Sequence, residues 1–290
     1  MNKWYEASDV DQLFFTIMHD ILDNGESREP RGLKCSSIGP IGITLTNPRA
    51  RVLWNSTREA SKSFMAGEFT WIITGSEDLE QIAYYNNKMR EYSDGGIVLA
   101  GAYGPRLENQ LPYIINLLKA DPQTRQAIIT IWRPNPEPSK DIPCTVSMHF
   151  RMTQHGLDLT THMRSNDLWL GFPYDVFNFT SIQEVVAVTL NVPIGKYHHI
   201  VSDIHLYEQH FELAKQAVQY SNDSEITPAL TIDLPALKNV LYNTDKLVRA
   251  STKLDIGIKL ELSRDPFAYW IQSKLYERRQ YHADRQAQNN

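Results

Sequence analysis

Two cysteines, Cys35 and Cys144, are the only thiols in 290 residues. That is too few for a disulfide framework. The opening Met1-Asn-Lys-Trp-Tyr-Glu6 lacks the apolar core of a secretory signal. Both absences point to a reducing, cytoplasmic setting. Long apolar runs are missing as well. Stretches such as Val185–Leu190 fall far short of the roughly 20 residues that span a bilayer, so no membrane role is expected. Basic residues do not dominate: 29 Lys and Arg stand against 34 Asp and Glu, a formal net charge of −5. A sheath for duplex nucleic acid carries a basic excess, so that partner class is disfavoured. Neither G-x-x-x-x-G-K-[ST] nor G-x-G-x-x-G occurs, and Gly101–Gly104 alone makes no phosphate cradle. No repeat, low-complexity tract or domain linker interrupts the chain. What is present is an ordinary folded composition, 42% hydrophobic and 22% charged, with enough chain for a full core.

Periodicity divides the chain into helices and strands. Residues 9–24 place Leu13, Phe14, Ile17, Ile21 and Leu22 on one helical face, and Asn24-Gly25 ends the run. Residues 56–74 and 77–91 read as helices separated at Gly75-Ser76, with Ser76 in position to cap the second. Residues 107–119 form a further amphipathic helix. Ile41–Leu45 and 126–133 read as strands, the latter stopped by Pro134. Residues 144–152 and 157–163, joined by Thr153-Gln-His-Gly156, read as a hairpin. An apolar helix over 173–190, a strand over 197–204 and a helix over 206–220 follow. The last 35 residues begin with a strand-like Lys/Glu/Leu pattern and end polar, which implies a frayed terminus. Helices and strands mix without a βα repeat, so the expected class is α+β.

Chemistry concentrates around Cys144, at the exit of a proline-rich loop and the entry to a strand. A thiolate there can attack an electrophilic carbon, although a lone Cys is more often a small buried hydrophobe. The segment His162–Asp175 gathers Arg164, Ser165, Asp167 and Asp175 within fourteen residues. If the hairpin forms, Arg164 ends the strand paired with the one that Cys144 begins. Its guanidinium there favours the thiolate or holds a phosphate. Arg28, Arg31 and Arg125 also sit at loop or strand edges, each an ordinary surface charge unless a pocket collects them. His198, His199, His205 and His210 match no standard metal spacing, and no metal site is expected.

Taken in order, Pro143-Cys144, Arg164-Ser165-x-Asp167, Leu170-Gly171-x-Pro173 and Asp203-x-His205-Leu-Tyr207 resemble the thymidylate synthase superfamily, which includes the pyrimidine nucleotide hydroxymethylases. The resemblance runs from Asn24-Gly25 to about Gln219. It implies a single thymidylate-synthase-like catalytic domain over 1–290, a mixed sheet flanked by helices, with a divergent segment at about 256–290. It also implies a homodimer formed through the sheet. The partners implied are a pyrimidine nucleoside monophosphate and 5,10-methylenetetrahydrofolate, without a metal. Residue by residue, Cys144 matches the nucleophile that adds to C6 of the pyrimidine. Arg31, Arg164 and Ser165 match phosphate contacts, and Arg125 matches an arginine given across the dimer. His205 and Tyr207 match the pair on the sugar 3′-hydroxyl. Asp167 and Gly171 match folate contacts. Glu68 and Tyr103 match the groups that manage water and protons near the ring.

The departures sharpen the expectation. Uracil-specific members carry Asn where this chain has Asp175. An amide serves the N3–H and O4 edge of uracil. A carboxyl group accepts from the 4-amino group of cytosine and, when protonated, donates to N3. Asp175 therefore points to a cytosine nucleotide; its simpler role is to cap the helix that follows. Met89 and Tyr92 stand where synthases place tryptophans that shield the exocyclic methylene, and weaker shielding favours hydroxymethyl over methyl. Thr145, His149, Met163 and Gln126 replace His, Gln, Gln and Arg, and the polar ending Asp284–Asn290 lacks the family's apolar C-terminus. The expected activity is hydroxymethylation of dCMP. The alternatives are CMP hydroxymethylation in a nucleoside antibiotic pathway, dTMP synthesis from dUMP, and a catalytically dead homologue that binds nucleotide or RNA.

Overall fold

The computed structural model describes residues 3–55, 57–217, 225–253 and 261–289. In chain order the elements are β1 (Lys3–Ala7), α1 (Val10–Asn24), β2 (Glu26–Arg28), β3 (Cys35–Ile38), β4 (Ile41–Leu45), α2 (Lys62–Ile73), α3 (Leu79–Tyr85), α4 (Gly104–Leu107), α5 (Gln110–Ala120), β5 (Ile128–Thr130), β6 (Thr145–Thr153), β7 (Gly156–Met163), β8 (Asn166–Asp167), α6 (Phe172–Leu190), β9 (Ile194–Val201), β10 (Ile204–Tyr207), α7 (Phe211–Gln216), α8 (Leu234–Lys253) and α9 (Pro266–Asn289). They fall into two compact units. One comprises Met1–Ala60, Ile114–Arg133 and Cys144–Thr227; the other comprises Ser61–Tyr113, Pro134–Pro143 and Pro228–Asn290.

The first unit is built on a six-stranded mixed sheet, in the order β1-β4-β9-β7-β6-β5. Side chains alternate across a strand, and β9 shows the consequence. Tyr197, His199 and Val201 are buried, while His198 and Ile200 are only half-buried. The buried face continues through Leu159, Thr161 and Met163 of β7 and Met148 and Phe150 of β6. Helix α6 packs on β7 and β9, and α1 packs on β1 and β4. Nearly every side of α6 is inaccessible, including Phe172, Val176, Phe177, Phe179, Ile182 and Val185. Each such side chain contributes roughly 1.5–3 kcal/mol on burial. The opposite face of the sheet carries Trp4, Thr44, Ser147, His149, Thr160, His162 and His198. There Trp4 Nε1 donates to Thr44 Oγ1 at 2.9 Å, and Thr44 Oγ1 lies 3.0 Å from His198 Nδ1. Gly42 makes room for the Trp4 ring, which a Cβ at that position would meet at 2.1 Å. A second, four-stranded sheet, in the order β2-β3-β10-β8, carries much of the candidate site.

The other unit is mainly helical. Phe69 of α2 meets Phe267 of α9 edge to face at 5.8 Å. The Tyr85 hydroxyl donates to Asp245 Oδ1 at 2.7 Å. Gly67 lies against the Tyr85 ring, 2.2 Å from where its Cβ would stand, so a larger residue would displace the ring.

Several elements differ from the sequence expectation. The polar ending as far as Asn289 belongs to a helix, α9, rather than a frayed tail. Pro266 starts it, Asp265 Oδ1 accepts from the Ala268 N–H at 2.7 Å, and Phe267, Trp270, Ile271 and Leu275 provide a buried stripe. The expected strand pattern falls partly on residues 254–260, outside the described residues. The expected helix over 206–220 begins as strand: Leu206 and Tyr207 pair with Ser36 and Cys35, and the helix covers only Phe211–Gln216, with residues 218–220 outside the described set. The helix expected from 56 starts at Lys62, capped by Ser61, because Asn55 Oδ1 takes the N–H groups of Thr57 and Arg58 in a turn. The helix expected over 77–91 ends at Tyr85. Asp78, not Ser76, caps it, and a 3-10 turn continues over Asn87–Tyr92. The strand expected over 126–133 narrows to Ile128–Thr130, and β1 had no sequence signal strong enough to mark it.

Candidate active site

The segment Arg164–Asp167 is the hub of the site. The hairpin of β6 and β7 pairs Thr145 with Met163 and then brings the Arg164 N–H to the Cys144 carbonyl at 2.9 Å. The nucleophile candidate and the phosphate-binding candidate are therefore joined by backbone. Cys144 is half-buried and forms no disulfide. The Arg164 guanidinium lies over the Trp132 ring, 5.7 Å from its centroid.

One residue on, Ser165 Oγ stands 3.5 Å from His205 Nδ1. The Asn166 N–H donates to the Asp203 carbonyl at 2.9 Å, and β8 runs parallel to β10 with Asp167 opposite His205. His205 Nδ1 lies 3.4 Å from Asp203 Oδ1. That contact, with help from Arg28, holds the Asp203 carboxyl below the usual range. The His205 and Tyr207 rings meet edge to face at 5.0 Å. Burial and the Asp167 carboxylate raise the Tyr207 phenol, and the neighbouring Arg31 guanidinium opposes them. Arg31 itself is exposed, in a turn where its φ is 55°. Burial pushes the Asp167 carboxyl up. The N–H groups of Trp169 and Leu170, each donating to its Oδ1 at 2.8 Å, act against that shift.

Asp175 sits in the first turn of α6, where the helix dipole favours negative charge. Asn166 Nδ2 donates to Asp175 Oδ2 at 2.8 Å. Asn166 Oδ1 in turn lies 3.0 Å from His199 Nε2, and His199 Nδ1 lies 2.7 Å from the Tyr197 hydroxyl and 3.0 Å from Thr161 Oγ1. Burial drives His199 down to about 3, so its ring is neutral. Gly171 precedes the helix beside this pair; a Cβ there would stand 3.3 Å from both Asn166 Nδ2 and Asp175 Oδ2.

The first unit thus brings together Cys144, Arg164, Ser165, Asp167, Gly171, Asp175, His205, Tyr207 and Arg31. Arg125 is exposed in the loop before β5. Glu68, on α2, and Tyr103, immediately before α4, belong to the helical unit; both are half-buried. Met89 is half-buried and Tyr92 exposed, both in the 3-10 turn after α3. Sequence reasoning left Asn166 as an unassigned position and considered His199 only as a metal ligand. The alternation of Tyr197, His199 and Val201 was the signal that could have marked His199 as inward-facing. Among the described residues no group of three or more His, Cys, Asp or Glu side chains could hold a metal ion.

Residues 12–249 match the thymidylate synthase family. The chain belongs to that family. Among its relatives are the deoxyuridylate hydroxymethyltransferase of Bacillus phage SP01, 31% identical over 224 residues, 70% of this chain and 58% of that protein, and that of Pseudomonas phage M6, 33% identical over 218 residues, 71% of this chain and 62% of that protein. A third, from Delftia phage PhiW-14, is 29% identical over 63% of this chain and 56% of its own length. The chain therefore spans about three-fifths of the length of these relatives. Thermostable thymidylate synthase A from Bacillus subtilis superposes with a TM-score of 0.63 at 23% identity, covering 73% of this chain and 85% of that one. The α+β thymidylate synthase fold accounts for the mixed sheet.

Proposed function

We propose that this thymidylate synthase family member is a folate-dependent pyrimidine nucleotide 5-hydroxymethylase and that its nucleotide is dCMP. The observation that carries the choice of base is Asp175. Its carboxylate is held by Asn166 within the segment whose first N–H bonds the Cys144 carbonyl. The reactive sulfur and the base-reading carboxyl thus share one rigid support.

In this reading the Cys144 thiolate adds to C6 of the ring. Electron density moves toward N3, where Asp175 stabilises or supplies the proton, and C5 becomes nucleophilic. Methylenetetrahydrofolate, once bound, supplies the single carbon, and Asp167 and Gly171 are the residues proposed to hold it. The C5 proton is then removed, the bond from the new carbon to the folate nitrogen breaks with release of tetrahydrofolate, water adds to the exocyclic methylene so formed on C5, and Cys144 leaves C6. Arg31, Arg164 and Ser165 hold the phosphate, His205 and Tyr207 the sugar, and Glu68 and Tyr103 handle protons. We further propose a homodimer formed through the open face of the six-stranded sheet, with Arg125 serving the partner's nucleotide. The half-buried row of His149, His162 and His198, with exposed Trp4, supports this.

One observation favours a second nucleotide: the relatives are named for deoxyuridylate. A uracil substrate requires Asp175 to meet an N3–H and a carbonyl, which a carboxylate serves poorly at O4. The test is product analysis. The protein is incubated with methylenetetrahydrofolate and either dCMP or dUMP, and both products are read by mass. The proposal expects dCMP to gain CH2O with release of tetrahydrofolate. Conversion of dUMP alone would replace the nucleotide, and a gain of CH2 with dihydrofolate would replace the reaction.

A further inference from the structure

We infer that His199, acting through the side chain of Asn166, orients the Asp175 carboxyl and so sets how strongly the site prefers cytosine over uracil. The inference rests on the proposed role of Asp175 at the base. His199 and Asn166 act as positioning residues.

Asn166 is 2% exposed, and His199, Tyr197 and Thr161 are fully buried, so none of their polar atoms can rely on solvent. An ionised Asp175 only accepts. The 2.8 Å contact at its Oδ2 therefore requires the Asn166 amide to present its N–H group there. This turns Asn166 Oδ1 toward His199 Nε2, 3.0 Å away, so Nε2 must carry the ring proton. Nδ1 is then an acceptor, and the hydroxyls of Tyr197 and Thr161 supply the donor at 2.7 and 3.0 Å. A neutral imidazole has one donor and one acceptor, and this arrangement uses both.

A second arrangement is self-consistent only for a protonated carboxyl. The acid O–H then donates to Asn166 Oδ1, the amide N–H donates to Nε2, and Nδ1–H donates to a hydroxyl oxygen. The structure holds the first arrangement. It commits one oxygen of Asp175 as an acceptor toward the protein and restrains rotation of the carboxyl. Depression of the His199 pKa by burial agrees, since a neutral ring places no positive charge behind the carboxylate. The missing side chain at Gly171 leaves the space in which Asn166 and Asp175 meet.

Two measurements test this. The first compares kcat/KM for dCMP and dUMP in the unsubstituted protein and in Asn166→Leu, His199→Phe and His199→Gln. Gln offers both an N–H donor and a carbonyl acceptor; Phe offers neither. Asn166→Leu and His199→Phe should lower the dCMP-to-dUMP ratio by roughly 10-fold or more, while His199→Gln stays within roughly 3-fold of the unsubstituted protein. Equal losses on both nucleotides, with the ratio unmoved, would show that the network only supports the fold and would overturn the inference. The second measurement needs no variant: long-range proton–nitrogen NMR of the unsubstituted protein should show His199 neutral with its proton on Nε2. A proton on Nδ1, or an imidazolium, would overturn it. Asp175→Asn is the control. If it leaves the ratio unchanged, the base-reading role of Asp175 fails, and the inference falls with it for that separate reason.

Discussion

His198 and His199 are neighbours in the chain and opposites in the fold. His199 faces the helices, fully buried, and all its ring hydrogen bonds lead to Tyr197, Thr161 and Asn166. His198 faces the open side of the sheet, half-buried, where Nδ1 meets Thr44. The strand's period of two makes the difference. Two identical side chains one residue apart serve a buried network that ends at Asp175 in one case and a polar surface in the other. A cluster of histidines in a sequence therefore means little until its face is known.

This contrast yields a graded set of expectations. At the proposed nucleophile, Cys144→Ala should reduce turnover by on the order of 10^4-fold or more. Nucleotide affinity, read by calorimetry, should change little. His198→Gln, which keeps a hydrogen-bonding group opposite Thr44 on the proposed dimer face, should leave turnover nearly intact, and comparable losses from the two substitutions would erase the distinction between the faces. Next, Asp175→Asn should move preference toward uracil nucleotides by about 100-fold, because the amide reverses the pattern of donor and acceptor. Steady-state kinetics on dCMP and dUMP will show it.

Stability separates the faces more modestly. His199→Phe strands Asn166 Oδ1 in the interior and leaves the Tyr197 hydroxyl with Thr161 Oγ1 alone, 2.8 Å away, and should cost about 1–3 kcal/mol in denaturant unfolding. His198→Phe should cost less than about 1 kcal/mol, and equal costs would contradict the assignment of faces. Acid sensitivity separates the faces as well. The folded-state pKa of His199 is depressed to about 3 from an ordinary 6.5, so its contribution is fully present above 6.5 and is lost as pH falls from there toward 3. At pH 5 the loss is about 2 kcal/mol relative to pH 8. His199→Gln should flatten that slope in urea titrations at several pH values, and an unchanged slope would mean that the ring does not titrate as described. His198, lowered less by burial, should contribute a shallower slope.

Much of the first unit was legible in the sequence. The β6–β7 hairpin, the apolar helix over 173–190 and the helix over 9–24 follow from alternation, 3.6-residue spacing and the Asn24-Gly25 stop. The hub at Arg164–Asp167 was legible because its residues lie close together in the chain. What escaped notice depended on distant partners. Leu206 and Tyr207 read as helical because the residues after them do, yet pairing with β3 draws them into a strand. The α9 ending reads as polar and loose, but four apolar residues near its start anchor it. Asn166 could not be recognised from the sequence, since its importance comes from His199, 33 residues away, and Asp175, 9 away.

The central claim is that a carboxyl at position 175 selects an exocyclic amine over a carbonyl. The most direct measurement gives the protein dCMP and dUMP together, at equal concentration with methylenetetrahydrofolate, and quantifies both products in one mass spectrum. The account predicts 5-hydroxymethyl-dCMP as the dominant product. Predominant hydroxymethylation of dUMP would contradict it.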